Sequence, residues 1–201
     1  VLRVARFAAR YHNDGFSIAD ETLTLMTQIS NSGELTTLSA ERIWQEMQRA
    51  LSEESAEGDK TGNKQHPEIF FQVLHQCQAL KSLWPELDAL WGVPNPPQWH
   101  PEICSGDHTM MVLHQAVLLT ANNKNKTAIR FAALCHDLGK SLTTSDLWPS
   151  HRGHEKSGLP LVEKISKQLK VPTYCKQLAL RVCEHHLHCH KAFQLKASTL
   201  L

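Results

Sequence analysis

His136 and Asp137 stand side by side in the run FAALCHDLGK, residues 131–140, at the end of an apolar segment with helical composition. Alone the pair says little, because thirteen histidines in one chain make a chance His-Asp dipeptide common and a polar helix end explains it. Other residues sharpen it. His108 opens an earlier helical pattern in GDHTMMVLHQ, His154 follows in HRGHEKSG, and the tract EHHLHCH occupies 184–190. Imidazoles and one carboxylate drawn from several helices can hold a divalent transition metal and leave positions for water and a phosphate oxygen. Such a metal lowers the pKa of bound water and offsets charge on phosphorus, which is the chemistry of a hydrolytic centre. The order His, His-Asp, His, His along four helical segments is specific in a way the dipeptide is not.

Most other histidines earn no role from spacing. His12, His66, His75 and His100 have no partner at ligand spacing. His114, six residues after His108, falls on another helical face and reads as a packing or surface residue. His151 reads as a loop histidine, with a supporting or substrate contact as the sharper option. The tract HHLHCH can bind metal adventitiously or be a polar helix end. His185 and His186 are neighbours on a helix and cannot both serve one metal. Asp107 reads as a helix cap, Gly139 as a C-cap, and Cys135 as a buried thiol.

The elements that must position these groups are helical. ETLTLMTQIS follows Asp20, read as its N-cap, and Gly33 closes it; AERIWQEMQRAL follows Ser39 with Ile43, Met47 and Leu51 at helical spacing. Pro67 suits the first turn of PEIFFQVLHQ. Residues 52–66 lose hydrophobic periodicity and read as a flexible insertion. The proline-rich stretch WGVPNPPQWHPE, 91–102, reads as an extended connection and a domain boundary. Beyond it lie helical patterns at 107–120, 127–138, about 155–169 and 174–187. No alternating run suggests a sheet, so the expected class is all-α in two helical parts. Net charge is +1, which advertises neither nucleic acid nor membrane over the whole surface. No apolar run reaches membrane-span length. Six cysteines without CxxC spacing read as reduced thiols of a cytoplasmic protein.

His108, His136, Asp137, Gly139 and Lys140 together resemble the HD phosphohydrolase superfamily and its HDxGK motif. The resemblance implies His108, His136 and Asp137 as metal ligands and Lys140 as a group that contacts or neutralises phosphate. That pattern usually closes with a late Asp, but no Asp follows Asp146. His186 is the preferred substitute, then His185 and His190, while Leu187 is the candidate for the place of the missing Asp. With His154 added, the expected metal set is His108, His136, Asp137, His154 and His186, and His136, Asp137 and Lys140 are the expected catalytic groups.

A wider resemblance covers almost the whole chain. VLRVARFAARY, ERIWQEM, the FFQVLHQCQAL–LWPELDALWGVP run and WHPEI resemble bacterial CCA-adding tRNA nucleotidyltransferases of the multifunctional type. It implies a helical neck and body over 1–100, an HD domain over 101–201, and Arg3 and Arg6 as nucleotide-binding residues. Arg3, Arg6 and Arg10 share one helical face, which without the resemblance reads as a solvated stripe. The Gly-Ser loop and paired carboxylates of nucleotidyl transfer are not found, so the chain is expected to be a piece of a longer protein that cannot add CCA by itself. The implied cofactor is a divalent metal, nickel or magnesium with manganese as a further option, and imidazole-rich ligation favours a transition ion. CTP and ATP would be substrates of the intact parent. The implied partners are a tRNA 3′ end and nucleotides, with no membrane, in a monomer or homodimer. The expected activity is hydrolysis of 2′,3′-cyclic phosphodiesters and 2′-phosphates; the rival readings are a decayed HD domain that grips tRNA and a nucleotide-directed HD phosphatase.

Overall fold

A computed structural model describes residues 1–52, 66–97, 102 and 104–189. The expected insertion at 52–66 therefore lies almost wholly outside the described residues, as do His100 and His190. Every regular element among the described residues is a helix or a 3-10 turn. In chain order the helices are α1 (Leu2–Arg10), α2 (Asp20–Asn31), α3 (Ala40–Ser52), α4 (Pro67–Gln76), α5 (Ala79–Leu83), α6 (Pro85–Asp88), α7 (Ser105–Leu119), α8 (Lys126–Cys135), α9 (His154–Ser157), α10 (Leu159–Gln168) and α11 (Thr173–Cys189). None is long and apolar enough to cross a membrane.

The sequence of α8 explains why it is central. KTAIRFAALC buries Ala128, Arg130, Phe131, Ala132, Leu134 and Cys135, so it is apolar around most of its circumference and must be covered on several sides. It packs against α11, α7 and α3. The α11 face that meets it carries Cys175, Ala179 and Cys183, small residues at four-residue spacing that allow close approach. From the other side α3 presents Ile43, Trp44, Met47, Ala50 and Leu51, and the Trp44 ring meets Phe131 edge-on at 5.7 Å. Each such large side chain contributes about 1.5–3 kcal/mol by leaving water. One apolar cluster runs from Leu2 in α1 to Cys183 in α11.

Arg130 sits inside this cluster at 1% exposure, donating from Nη1 to the Leu51 carbonyl and from Nε to Thr120 Oγ1. It satisfies a carbonyl at the C-terminal end of α3, where the helix has no further turn to accept it. Burial lowers its pKa to about 10.

Several local expectations change. Asp20 is the first helical residue of α2; Ala19 is the cap, without a side-chain bond. Gly33 does close α2, at φ +85°. The pattern read at 155–169 is two helices, because Pro160 supplies no N–H near the start of α10. Gly139 is not a C-cap. Helix α8 stops at Cys135 with His136 as cap, and Gly139 lies in the 3-10 turn Leu138–Leu142. A Cβ at Gly139 would stand 1.9 Å from the His154 carbonyl oxygen, so its value is close approach of that turn to α9. The Arg stripe on α1 is solvated only in part: Arg3 and Arg10 are exposed, but Arg6 is 7% exposed and its Nε donates to Glu46 Oε2 at 2.7 Å.

Candidate metal centre

Asp137 follows the last turn of α8 and is 2% exposed. Four imidazoles reach its carboxylate from four separate elements. On Oδ2 the neighbours are His136 Nε2 at 3.1 Å and His108 Nε2, from α7, at 3.8 Å. On Oδ1 they are His154 Nε2 at 3.1 Å and His186 Nε2 at 3.4 Å, from the starts of α9 and the late turns of α11. Lys140 places Nζ 2.8 Å from Oδ2 and donates to Asn95 Oδ1 at 3.0 Å.

The other nitrogen of each ring decides what these contacts mean. His136 Nδ1 donates to the Ala133 carbonyl at 2.7 Å, His154 Nδ1 to His151 at 2.8 Å, and His186 Nδ1 to Cys183 at 3.0 Å. His108 Nδ1 meets Glu102 Oε1 at 2.7 Å. Carbonyls and carboxylates only accept, so each neutral ring carries its proton on Nδ1 and turns a bare Nε2 lone pair inward. His154 and His186 even bring Nε2 within 3.1 Å of Nε2. Lone pairs facing one another and a carboxylate repel unless a cation lies among them. Charging all four rings would instead crowd four imidazoliums and an ammonium around one carboxylate. Asp137 Oδ1 is, besides, buried without a hydrogen-bond partner. The residues therefore fit a divalent ion, as two triads sharing Asp137: His108, His136 and Asp137, and Asp137, His154 and His186.

Burial works to raise the Asp137 pKa, but without a metal a protonated His136, with His154 and His186 turned donors, would hold it well below the usual carboxylate range, the part a cation plays when it fills the site. Its charge is thus present at neutral pH. For His186, burial pulls the pKa down, yet the Asp137 carboxylate and the Cys183 and Val182 carbonyls leave it raised.

Spacing did not reveal the residues that hold this arrangement. His151, read as a loop histidine, is 1% exposed and has φ +48°. Its Nε2 donates to the Pro94 carbonyl at 2.6 Å, so its Nδ1 accepts the Thr143 hydroxyl at 2.7 Å, and its own carbonyl fixes His154. Burial lowers its pKa, keeping it neutral. Asn95 and Glu102 were missed because nothing in the sequence marks a lone amide or carboxylate in a proline-rich stretch. Asp107 is not a cap: α7 begins at Ser105, and Asp107 accepts from Trp91 Nε1 at 3.1 Å. Leu187 and His185 are both exposed, His185 beside Glu184. Arg3 and Arg6 lie apart on α1, which packs mainly on α4 and α3.

Comparison with known proteins agrees with this geometry. Residues 106–198 match the family described as HD domain, which implies divalent metal binding. Residues 15–58 match the family described as probable RNA and SrmB-binding site of polymerase A. The whole chain is 57% identical to a multifunctional CCA protein of Mannheimia succiniciproducens, covering 46% of that protein. It is 53% identical to that of Haemophilus influenzae and 54% to that of Pseudoalteromonas atlantica, again with all of this chain and 46% of each relative covered. The chain spans about half the length of the curated relatives it matches; over that span it is similar to the multifunctional CCA proteins, and residues 106–198 match the HD domain family.

Proposed function

We propose that the centre around Asp137 is a metal-dependent phosphohydrolase site acting on 2′,3′-cyclic phosphodiesters and 2′-phosphates, within a cytoplasmic protein that makes and repairs tRNA 3′ ends. The observation that carries this reading is the convergence of four bare Nε2 atoms on one buried, ionised carboxylate. His108, His136, Asp137, His154 and His186 would hold a divalent ion, nickel before manganese or magnesium given the imidazole-rich donor set. Such an ion would supply Lewis acidity and a water activated near neutral pH. The chain's own work is preorganisation: the Nδ1 anchors fix each ring, and Asp137 supplies the negative charge a cation needs. Lys140, steadied by Asn95, would offset phosphate charge and help position the ester.

The same proposal divides the chain into a helical body over 1–100 and the HD domain over 101–201. Residues 15–58 would contact tRNA, whose phosphates need only a local basic surface. Arg3 and Arg6 would serve CTP and ATP selection by an adjoining nucleotidyltransferase head, Arg3 directly and Arg6 while braced by Glu46. The chain alone would not add CCA.

The test is hydrolysis of 2′,3′-cyclic AMP by metal-stripped protein with nickel, manganese or magnesium restored, beside His136→Ala. Restored turnover that falls at least ~100-fold in the variant is expected. A folded protein without turnover under any metal would favour the rival, a tRNA-gripping body. Turnover of mononucleotides with no action on a tRNA ending in a cyclic phosphate would favour the nucleotide-directed phosphatase.

A further inference from the structure

A second histidine cluster lies outside the Asp137 centre. His66 immediately precedes α4, Glu68 lies in the first turn of that helix, and His114 projects from the middle of α7. His66 Nδ1 and His114 Nδ1 stand 2.7 and 2.9 Å from the same atom, Glu68 Oε1. The two rings stack at 5.4 Å, and His12 lays its ring 4.8 Å from His66. Glu68 is only 8% exposed, and its other oxygen, Oε2, is buried with no hydrogen-bond partner. Among the described residues its ion-pair partners are the two histidines. One oxygen is thus crowded by two imidazole nitrogens while the other is orphaned. The two contacts on Oε1 are hydrogen bonds the rings donate, whereas the orphaned Oε2 calls for a positive partner, which a cation beside the carboxylate supplies.

We propose that His66, Glu68 and His114 form a second metal site, which takes a zinc-like divalent transition ion and ties α4 to α7. Two imidazoles and one carboxylate are a donor set zinc accepts, with a fourth position for water or for His12. Bonds of about 2.0–2.2 Å to a tetrahedral ion put donors roughly 3.4 Å apart, so the present contacts need to open by about 0.5–0.7 Å. Side-chain rotation suffices, because His66, His114 and Glu68 line one open cleft with Gln72 and Met111. Each ring then carries its proton on Nε2 and stays neutral, so binding needs no proton to be taken up. The ion bridges a helix that precedes the proline-rich connection to the helix that bears His108. Its role is a clamp on α7, separate from hydrolysis.

Zinc content settles this on the full chain. Metal-stripped protein is loaded with zinc, passed through gel filtration, and its bound equivalents are compared with those of His114→Gln and of the near-isosteric Glu68→Gln. Each variant is expected to lose one equivalent, while 2′,3′-cyclic AMP hydrolysis stays within about twofold. Cobalt gives an independent reading: a visible absorption band present in His136→Ala and absent in His136→Ala with Glu68→Gln belongs to this site. Any ion held loosely by exposed His185 and His188 is common to all samples and cancels. Equal zinc equivalents and an unchanged cobalt band in both variants would leave a hydrogen-bonded cluster only and overturn the proposal. Should His114→Gln fail to fold, Glu68→Gln carries the same reading.

Discussion

Among the described residues, two clusters combine histidines with one buried carboxylate, and they differ in which ring nitrogen meets it. Around Asp137 every Nδ1 is engaged by a carbonyl or by Glu102, and Nε2 faces inward. Around Glu68 it is Nδ1 itself that meets the carboxylate. The first arrangement commits the rings to lone-pair donation before any ion arrives. The second puts the proton on Nδ1 facing the carboxylate, so these rings donate hydrogen bonds until an ion displaces that contact and the proton moves to Nε2. The lesson is that backbone carbonyls three residues behind a histidine can settle its chemistry as firmly as the ligands do.

The largest expected effect lies at the committed centre. Asp137→Asn removes the shared charge between two triads, and metal-supported hydrolysis should fall at least ~1,000-fold, measured as kcat/KM with saturating nickel. Retained activity would show that the triads do not depend on Asp137. Next, Gly139→Ala should cost about 1–3 kcal/mol or more, because its Cβ would enter the His154 carbonyl; urea unfolding reads this. An unchanged midpoint would mean that α9 can yield, and that the close approach positions nothing.

His151→Ala is expected to weaken metal affinity by about 10–100-fold with the fold intact, since the residue touches no substrate and only holds the backbone behind His154. Titration with nickel followed by competing chelator checks it; an effect on turnover with affinity unchanged would contradict a positioning role. The corresponding change at the other cluster, Glu68→Gln, should leave hydrolysis within about twofold, which separates the two clusters functionally.

The smallest effect is in thiol reactivity. Burial raises the Cys183 pKa to about 12, with help from the Asp137, Glu155 and Glu184 charges, and raises the buried Cys135 well above its usual value. A raised thiol pKa means little thiolate at pH 8, so native protein should alkylate at exposed Cys189 first and leave Cys135 and Cys183 unmodified. Peptide mapping after iodoacetamide treatment reads the order. Rapid labelling of Cys183 would mean that α11 opens beneath the Asp137 centre.

How far could a reader of the sequence have seen this? The all-α class was legible because hydrophobic period and first-turn proline are local signals: Ile43, Met47 and Leu51 mark α3, and Pro67 marks the start of α4. The order His108, His136-Asp137, His154, His186 was legible too, since titratable groups of these types rarely recur along successive helices without reason. Local signals failed where distance in sequence was large. Gly139 looked like a cap because glycine ends helices, yet its lack of a side chain is needed by a carbonyl fifteen residues on. Arg6 looked solvated because Glu46, forty residues away, is its partner. Asn95, Glu102 and His151 carry no pattern of their own.

Residue types and their helical periods, then, were determined by the chain itself: which segments become helices, and which imidazoles are available to a metal. The tertiary structure alone decided how those imidazoles are used. Packing α7 and α11 on α8, and α9 on the 3-10 turn that follows it, brings four rings to one carboxylate, and the carbonyls and Glu102 behind them fix which nitrogen is bare. The same packing pairs His114 with His66, two residues that sequence spacing left without a role. The physical reason is that periodicity reports burial along one element, whereas tautomer and ligation depend on contacts between elements far apart in the chain.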